Sequence, residues 1–287
     1  MSEDRGAVVI TGASTGIGRA TAPRLAAIGF RVFAGVRKQA DAGSLKQEAP
    51  AVTPLILDVT DEHSIAEAAT AVKAAVGANG LAGLVNNAGI TVPGPLEFLP
   101  AEDLRRQFEV NVIGAIAVTQ AFMPLLRAGK GRIVNVGSIG GRVSTPLLGA
   151  YSASKYAIEA ISDALRVELR PWGIPVAIVE PGAIATPLWE RGAAATDELL
   201  ARMPEEVHML YGPAIDAMRA AAVKFEKRAS PPDTVAKVIA RALTAKRPRT
   251  RYLVGFDARV QATLKSLLPD RMLDSLIASQ IGLPKRP

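Results

Sequence analysis

The chain has 287 residues, enough for one large α/β domain, and carries a net charge of +7. With 49% hydrophobic residues and a mean hydropathy of +0.20 it is not a disordered chain. Cysteine is absent and His63 and His208 are the two histidines, which excludes disulfides and thiolate metal sites and argues against a histidine metal centre. The basic residues are dispersed except around Lys246–Arg251, and no nucleic-acid-binding motif accompanies them. They read as a solvated basic surface rather than a nucleic-acid contact.

No apolar run approaches the roughly eighteen residues of a membrane span. The polar start Met1-Ser-Glu-Asp-Arg-Gly6 leads straight into a strand-like run, so a cytoplasmic protein without signal peptide is expected. Ala7–Thr11 is the first predicted strand, followed by a glycine-rich turn and a helix to about Ile28. Arg31–Val36 and Val52–Leu57 are the second and third strands. The Ala-rich segment Asp61–Val76 opens with acidic residues, as a helix start should. Leu81–Val85 and Arg132–Val136 are further strands. Between them Ala101–Leu126 predicts one long helix, bent or broken at Pro124. Tyr151–Leu169 predicts a second long helix, with Pro175–Val179 and Arg251–Val254 as the sixth and seventh strands.

Strands that are apolar throughout and alternate with helices imply a parallel sheet covered on both faces. The order predicts an α/β, Rossmann-type doubly wound seven-stranded sheet, with ligands bound beyond the strand C-termini near the switch in strand order. Residues 187–232 break the rhythm and read as a helical substrate lid within a single domain of residues 1–256. Residues 257–287 read as an amphipathic helical extension, which can pack on the core or touch a membrane surface.

Ser138, Tyr151 and Lys155 carry the chemistry. Tyr and Lys four apart on a helix share one face, and a cation there lowers a tyrosine pKa from about 10. A hydroxyl thirteen residues upstream, at the end of the preceding strand, can orient a substrate oxygen beside that phenol. Alone, such spacing also marks an ordinary helix face; it gains meaning beside a hydride carrier. Thr11-Gly-Ala-Ser-Thr-Gly-Ile-Gly18, placed strand–turn–helix, supplies a dinucleotide site: the turn approaches a pyrophosphate whose charge the helix N-terminus favours.

That glycine spacing, Asn86-Asn-Ala-Gly89, Asn111, Ser138, Tyr151-Ser-Ala-Ser-Lys155 and Pro181-Gly182 stand in the order of the short-chain dehydrogenase/reductase family. The chain resembles that family from about Gly6 to Thr186, and beyond it resembles the hydroxysteroid and retinol dehydrogenases. The resemblance implies Tyr151 as general acid/base, Ser138 as positioner of the substrate oxygen, and Lys155 as the cation that lowers the tyrosine pKa and holds the nicotinamide ribose. It implies Asn111 as holder of a water in a proton relay; a mid-helix Asn in an apolar stretch needs partners, or marks a helix bend.

The implied dinucleotide contacts are Gly12, Ser14, Thr15, Gly16, Ile17 and Gly18 at the turn. Asp58, with Val59, faces the adenine or serves as a turn aspartate. Asn87, Ala88 and Gly89 line the adenosine side, Tyr151 and Lys155 the ribose, and Pro181, Gly182, Ile184 and Thr186 the carboxamide. The second strand ends in Val36 followed by Arg37 and Lys38, where an acidic residue would select NAD. Arg37 suits a 2′-phosphate, with Arg19 adding charge, so NADP is expected, NAD remaining the alternative. Leu188, Trp189, Met203, Met209, Leu210, Tyr211 and Phe225, with the loop Val143–Leu148, can roof an apolar pocket. A lipophilic secondary alcohol or ketone, steroid- or retinoid-like, is the expected small-molecule substrate. A 3-oxoacyl thioester or small carbonyl is the alternative, and a dinucleotide sensor without catalysis a third reading. The family resemblance also implies a homodimer or homotetramer, formed through the two long helices.

Overall fold

The computed structural model describes residues 4–283, apart from the side chains at 190, 191 and 195, so the outer ends of the expected 1–256 and 257–287 segments lie outside the described residues. In chain order the elements are β1 (Ala7–Ile10), α1 (Gly16–Ala27), β2 (Arg31–Val36), α2 (Gln39–Glu48), β3 (Val52–Ile56), α3 (Glu62–Val76) and β4 (Gly83–Asn86). Then come α4 (Ala101–Phe108), α5 (Gly114–Gly129), β5 (Arg132–Val136), α6 (Gly149–Glu168) and β6 (Val176–Pro181). The chain ends with α7 (Leu188–Leu200), α8 (Glu205–Lys227), α9 (Pro232–Thr244), β7 (Arg251–Val254), α10 (Phe256–Leu267) and α11 (Asp270–Ile281).

The seven strands run parallel in the order β3-β2-β1-β4-β5-β6-β7, the doubly wound sheet the sequence leads one to expect. Alternation along β1 shows how the core divides. Val8 and Ile10 pack with Leu25 of α1 and Val235 and Ile239 of α9 on one face. Ala7 and Val9 pack with Val72 of α3 and Val118 and Phe122 of α5 on the other. Both faces are apolar, which is why the strands read as unbroken hydrophobic runs. The strand order reverses between β2-β1 and β4, and that crevice is where the site lies.

The two sheet edges differ. β3 carries Pro54, which lacks an N–H and is tolerated there because one side of an edge strand pairs with nothing. β7 is short, and beside it Arg241, Arg249, Arg251, Arg259, Tyr252 and Leu253 line a cleft of about 460 Å³.

The long helix expected at 101–126 is interrupted, but not by Pro124. Pro124 sits inside α5, and the carbonyl its missing N–H would have engaged belongs to the exposed Gln120. The break is a π turn at Glu109–Ile113, centred on Asn111. Helical residues run without a gap over Ala101–Gly129, long and apolar enough by composition to cross a bilayer. Half of the most apolar window is buried in the fold, where α3, β4 and α6 pack on it.

Candidate functional site

Thr11 starts the site by fastening two strand ends together. Its hydroxyl accepts the amides of Asn87 (2.9 Å) and Ala88 (3.0 Å), and the Asn87 side chain donates back to the Thr11 and Gly12 carbonyls at 2.9 and 3.0 Å. Gly18 has to be glycine: a Cβ there would lie 2.4 Å from the Gly12 carbonyl oxygen. The turn thus folds onto β4 and opens α1 with no side-chain cap at Thr15 and no acidic residue in its first turn. The free N–H groups of that turn, with the helix dipole, favour an anion.

Around this turn lies a cavity of about 760 Å³ at the C-terminal ends of β1 to β4. Gly12, Ser14, Thr15, Gly16, Ile17, Arg37, Asp58, Val59, Asn87, Ala88, Gly89 and Thr186 all line it. Gly18, Tyr151, Lys155, Pro181, Gly182 and Ile184 do not; Gly18 lies behind the turn, and Lys155, Pro181 and Ile184 are buried. Arg105, Arg106 and Glu109 also line the cavity and were missed in sequence. The one signal for them was the i,i+4 pairing of Arg105 with Glu109, which is ordinary on any helix. Asp58 keeps its turn character as well, accepting the Thr60 amide at 3.0 Å and hydroxyl at 2.8 Å. Arg19 corrects its expectation: it pairs with Glu48, bonds the Ser44 hydroxyl and donates to the Ser14 carbonyl, so its charge is already matched.

Ser138 follows β5 and accepts the Gly140 amide at 3.0 Å. A hydrogen bond from Ser138 acts on the Tyr151 phenol, but burial outweighs it and raises the Tyr151 pKa above 10. Lys155 Nζ stands 5.7 Å from the Tyr151 ring centroid and donates to the Val136 carbonyl at 2.9 Å. Burial brings its own pKa down to about 8. The expected lowering of the Tyr151 pKa by Lys155 is therefore not found in the free chain, because desolvating the phenolate is the larger effect. Asn111 finds the partners a buried amide needs. Its Oδ1 accepts the Ile90 amide at 2.8 Å, and its Nδ2 donates to the Ile90 carbonyl and Ser154 Oγ at 3.1 and 3.0 Å. Its side-chain amide is thus satisfied by protein atoms. Ser154 Oγ donates to the Tyr151 carbonyl at 2.7 Å, which ties the π turn to the catalytic-helix candidate.

Beneath α6 lies a charged cluster that the sequence did not announce. The fully buried Glu180 stands 2.8 Å from Arg142 Nε, close but not aligned for a hydrogen bond to that oxygen. Arg251 donates to Glu159 at 3.0 Å and to Asp163 at 2.7 Å, and lies 3.5 Å from Glu180. Burial, then the Glu159 charge, raises the Glu180 pKa to about 7.

In the helical segment 187–232, Met203 and Tyr211 pack with Leu200, Val207 and Ile215 against Phe98 and Leu147, whereas Met209 and Leu210 face outward. Tyr211 donates to Glu97 at 2.6 Å and Trp189 to the Ile184 carbonyl at 2.7 Å. Among the described residues no cluster of three or more His, Asp or Glu is placed to hold a metal ion.

A doubly wound parallel sheet with an uncapped glycine turn and a cavity at its switch point defines the dinucleotide-binding class of α/β proteins. Residues 6–197 match the short chain dehydrogenase family. An NADPH-dependent 3-dehydrocapnine reductase of Ornithobacterium rhinotracheale is 36% identical over 274 residues, covering 93% of this chain and 94% of the relative. Retinol dehydrogenase 5 of Mus musculus is 38% identical over 277 residues, covering 94% and 87%. A short chain dehydrogenase/reductase of Burkholderia phymatum, solved in complex with NAD, is similar at a TM-score of 0.77 and 25% identity, covering 92% of this chain and 94% of that one. The chain belongs to the short-chain dehydrogenase family. It is an oxidoreductase that interconverts alcohol and carbonyl groups with a nicotinamide dinucleotide.

Proposed function

We propose that the chain interconverts a lipophilic secondary alcohol and its ketone, with NADP as the cofactor and Ser138, Tyr151, Lys155 and Asn111 as the working residues. The observation that carries this reading is the meeting of the Ser138 hydroxyl, the Tyr151 phenol and the buried Lys155 ammonium at the end of β5. A bound dinucleotide supplies the hydride acceptor or donor. Tyr151 gives the proton to the substrate oxygen in reduction and takes it in oxidation, while Ser138 orients that oxygen by hydrogen bonding. Lys155 counters the negative charge left on the phenol when its proton departs. Asn111, through Ser154, fixes the first turn of α6 on which Tyr151 stands.

Arg37 on the cavity wall, with the apolar Val36 where an acidic residue would repel a phosphate, supports NADP over NAD. Arg105 lines the same cavity, where Arg106 pairs with Asp103. The NADPH-dependent relative agrees with this choice, and the apolar cluster of Phe98, Leu147, Met203 and Tyr211 supports a lipophilic substrate. Exposed Val167 and Trp172, at the end of α6 and just beyond it, with Ile113 beside α5, support a homo-oligomer through the long helices.

Turnover should be measured for steroid, retinoid, 3-oxoacyl thioester and short ketone substrates with each dinucleotide. NADP-linked turnover highest on the lipophilic compounds is the expected outcome. Preference for the thioester or the short ketones would replace the substrate reading, and binding without turnover would leave a sensor.

A further inference from the structure

Between β6 and the first turn of α7, residues 182–187, lies the segment that the proposed function assigns to the nicotinamide. Most of its backbone is already committed. The Gly182 amide donates to the Val254 carbonyl at 2.9 Å. The Ser230 amide donates to the Ala183 carbonyl and the Ala185 amide to the Ser230 carbonyl, each at 2.9 Å. Trp189 holds the Ile184 carbonyl. The one side chain that takes an amide of this segment comes from beyond β7: Asp257 Oδ2 accepts the Ala183 N–H at 2.7 Å.

Asp257 lies in the first turn of α10, where an acidic residue is commonly no more than a partner of the helix dipole. Here its surroundings are specific. A Cβ on Gly182 would fall 2.1 Å from Asp257 Oδ2, and one on Gly255 would fall 2.4 Å from Oδ1. Gly255 also has a φ of +103°, a backbone conformation other residues rarely adopt. The carboxylate therefore occupies a seat made by two glycines at the ends of two neighbouring strands. A side chain at either position would collide with this carboxylate where it reaches Ala183. Ala258, the next residue, is wholly buried against Ile139 and Val143, so α10 keeps Asp257 in place from the side of the Ser138 loop.

We propose that Asp257 is a positioning residue, which holds the Ala183 amide and so sets the path of the chain from Gly182 to Thr186 against which the nicotinamide end of the dinucleotide is placed. This rests on the proposed assignment of that segment to the nicotinamide. Asp257 touches neither substrate nor cofactor in this scheme. It acts through the backbone of Ala183.

The test compares ligands that share the adenosine half and differ in the nicotinamide half. Binding of NADPH and of 2′-phospho-ADP-ribose is measured by calorimetry for the wild type, Asp257→Ala, Asp257→Asn and Gly182→Ala, with circular dichroism to show that each is folded. Loss of a charge-assisted hydrogen bond should weaken the dinucleotide roughly ten- to a hundredfold in Asp257→Ala. 2′-Phospho-ADP-ribose should stay within about twofold, because its contacts lie at the glycine turn and the adenosine side. Asp257→Asn keeps an acceptor oxygen and should retain most of the binding. Gly182→Ala, which fills the seat, should reproduce the loss with Asp257 still present. Equal weakening of both ligands would reduce Asp257 to a general packing role and overturn the inference, as would an unchanged dinucleotide affinity in Asp257→Ala. A wild type that gains no affinity from the nicotinamide half and turns nothing over would instead remove the proposed function itself.

Discussion

Glu180→Gln removes a carboxyl that burial keeps from ionising, and its effect on stability has a definite dependence on pH. The side chain is fully buried beside Glu159, with Arg142 and Arg251 as the opposing charges and Asp163 drawn onto Arg251. Its pKa stands at about 7 in the folded chain against 4.5 ordinarily. Between those values the folded chain holds a proton that the unfolded chain has released. Stability therefore falls as pH rises through that window, because the folded state binds more protons there. At about 1.4 kcal/mol per pK unit the full interval corresponds to about 3 kcal/mol, which the wild type loses between about pH 4.5 and 7. Gln keeps the volume and one acceptor oxygen but has no proton to hold. Urea unfolding of both proteins at pH 5, 6, 7 and 8, at one protein concentration, gives the difference directly. That difference should move in favour of Glu180→Gln by about 2–3 kcal/mol from pH 5 to 8, reading the same linkage. A difference that stays flat within about 0.5 kcal/mol, close to the error of such measurements, would refute the reasoning.

Tyr151→Phe should lower kcat by about 10²–10⁴-fold with dinucleotide affinity nearly unchanged; steady-state assays and a binding titration check it, and near-normal turnover would remove Tyr151 from the mechanism. Arg37→Ala should weaken NADP by roughly tenfold or more while leaving NAD alone, as loss of a charged contact to a 2′-phosphate predicts. Equal effects on both dinucleotides would show that Arg37 reads no phosphate. Phe122→Ala, at a wholly buried position under the sheet, should cost about 3–5 kcal/mol in chemical unfolding. A cost under about 1 kcal/mol would mean the core around α5 closes over the space.

The central strands were legible because they are buried on both faces, whereas the edge strands β3 and β7 are only partly buried. The helices carrying the active residues were legible because they are long. What escaped the sequence depended on partners far along the chain. Pro124 looked like a helix breaker, but the strain of a missing N–H is slight when the carbonyl it leaves faces water. Asn111 opens a π turn instead, and its reason is Ile90, twenty-one residues upstream. The depressed tyrosine pKa expected from the Tyr-x-x-x-Lys spacing fails in the free chain for a similar cause: spacing reports proximity, whereas burial decides the charge. Asp257 was invisible because it lies outside the motif-bearing segment and meets Ala183, seventy-four residues away, only once the sheet has formed. Arg19 and Arg37 looked alike in sequence. Glu48 alone separates them, by claiming the first.

The difference between the two sheet edges has a bearing on how copies of the chain can meet. At β3, Pro54 denies a neighbouring strand one donor, which blunts that edge as a template for further pairing. At β7 the edge is guarded by charge: two copies aligned there would bring Arg241, Arg249 and Arg259 towards their own counterparts, Arg251 being held by Glu159 and Asp163. Such an approach is opposed over about a Debye length, about 30 Å in 0.01 M salt and about 8 Å at physiological ionic strength. Ionic strength, more than apolar area, thus governs whether this edge stays single.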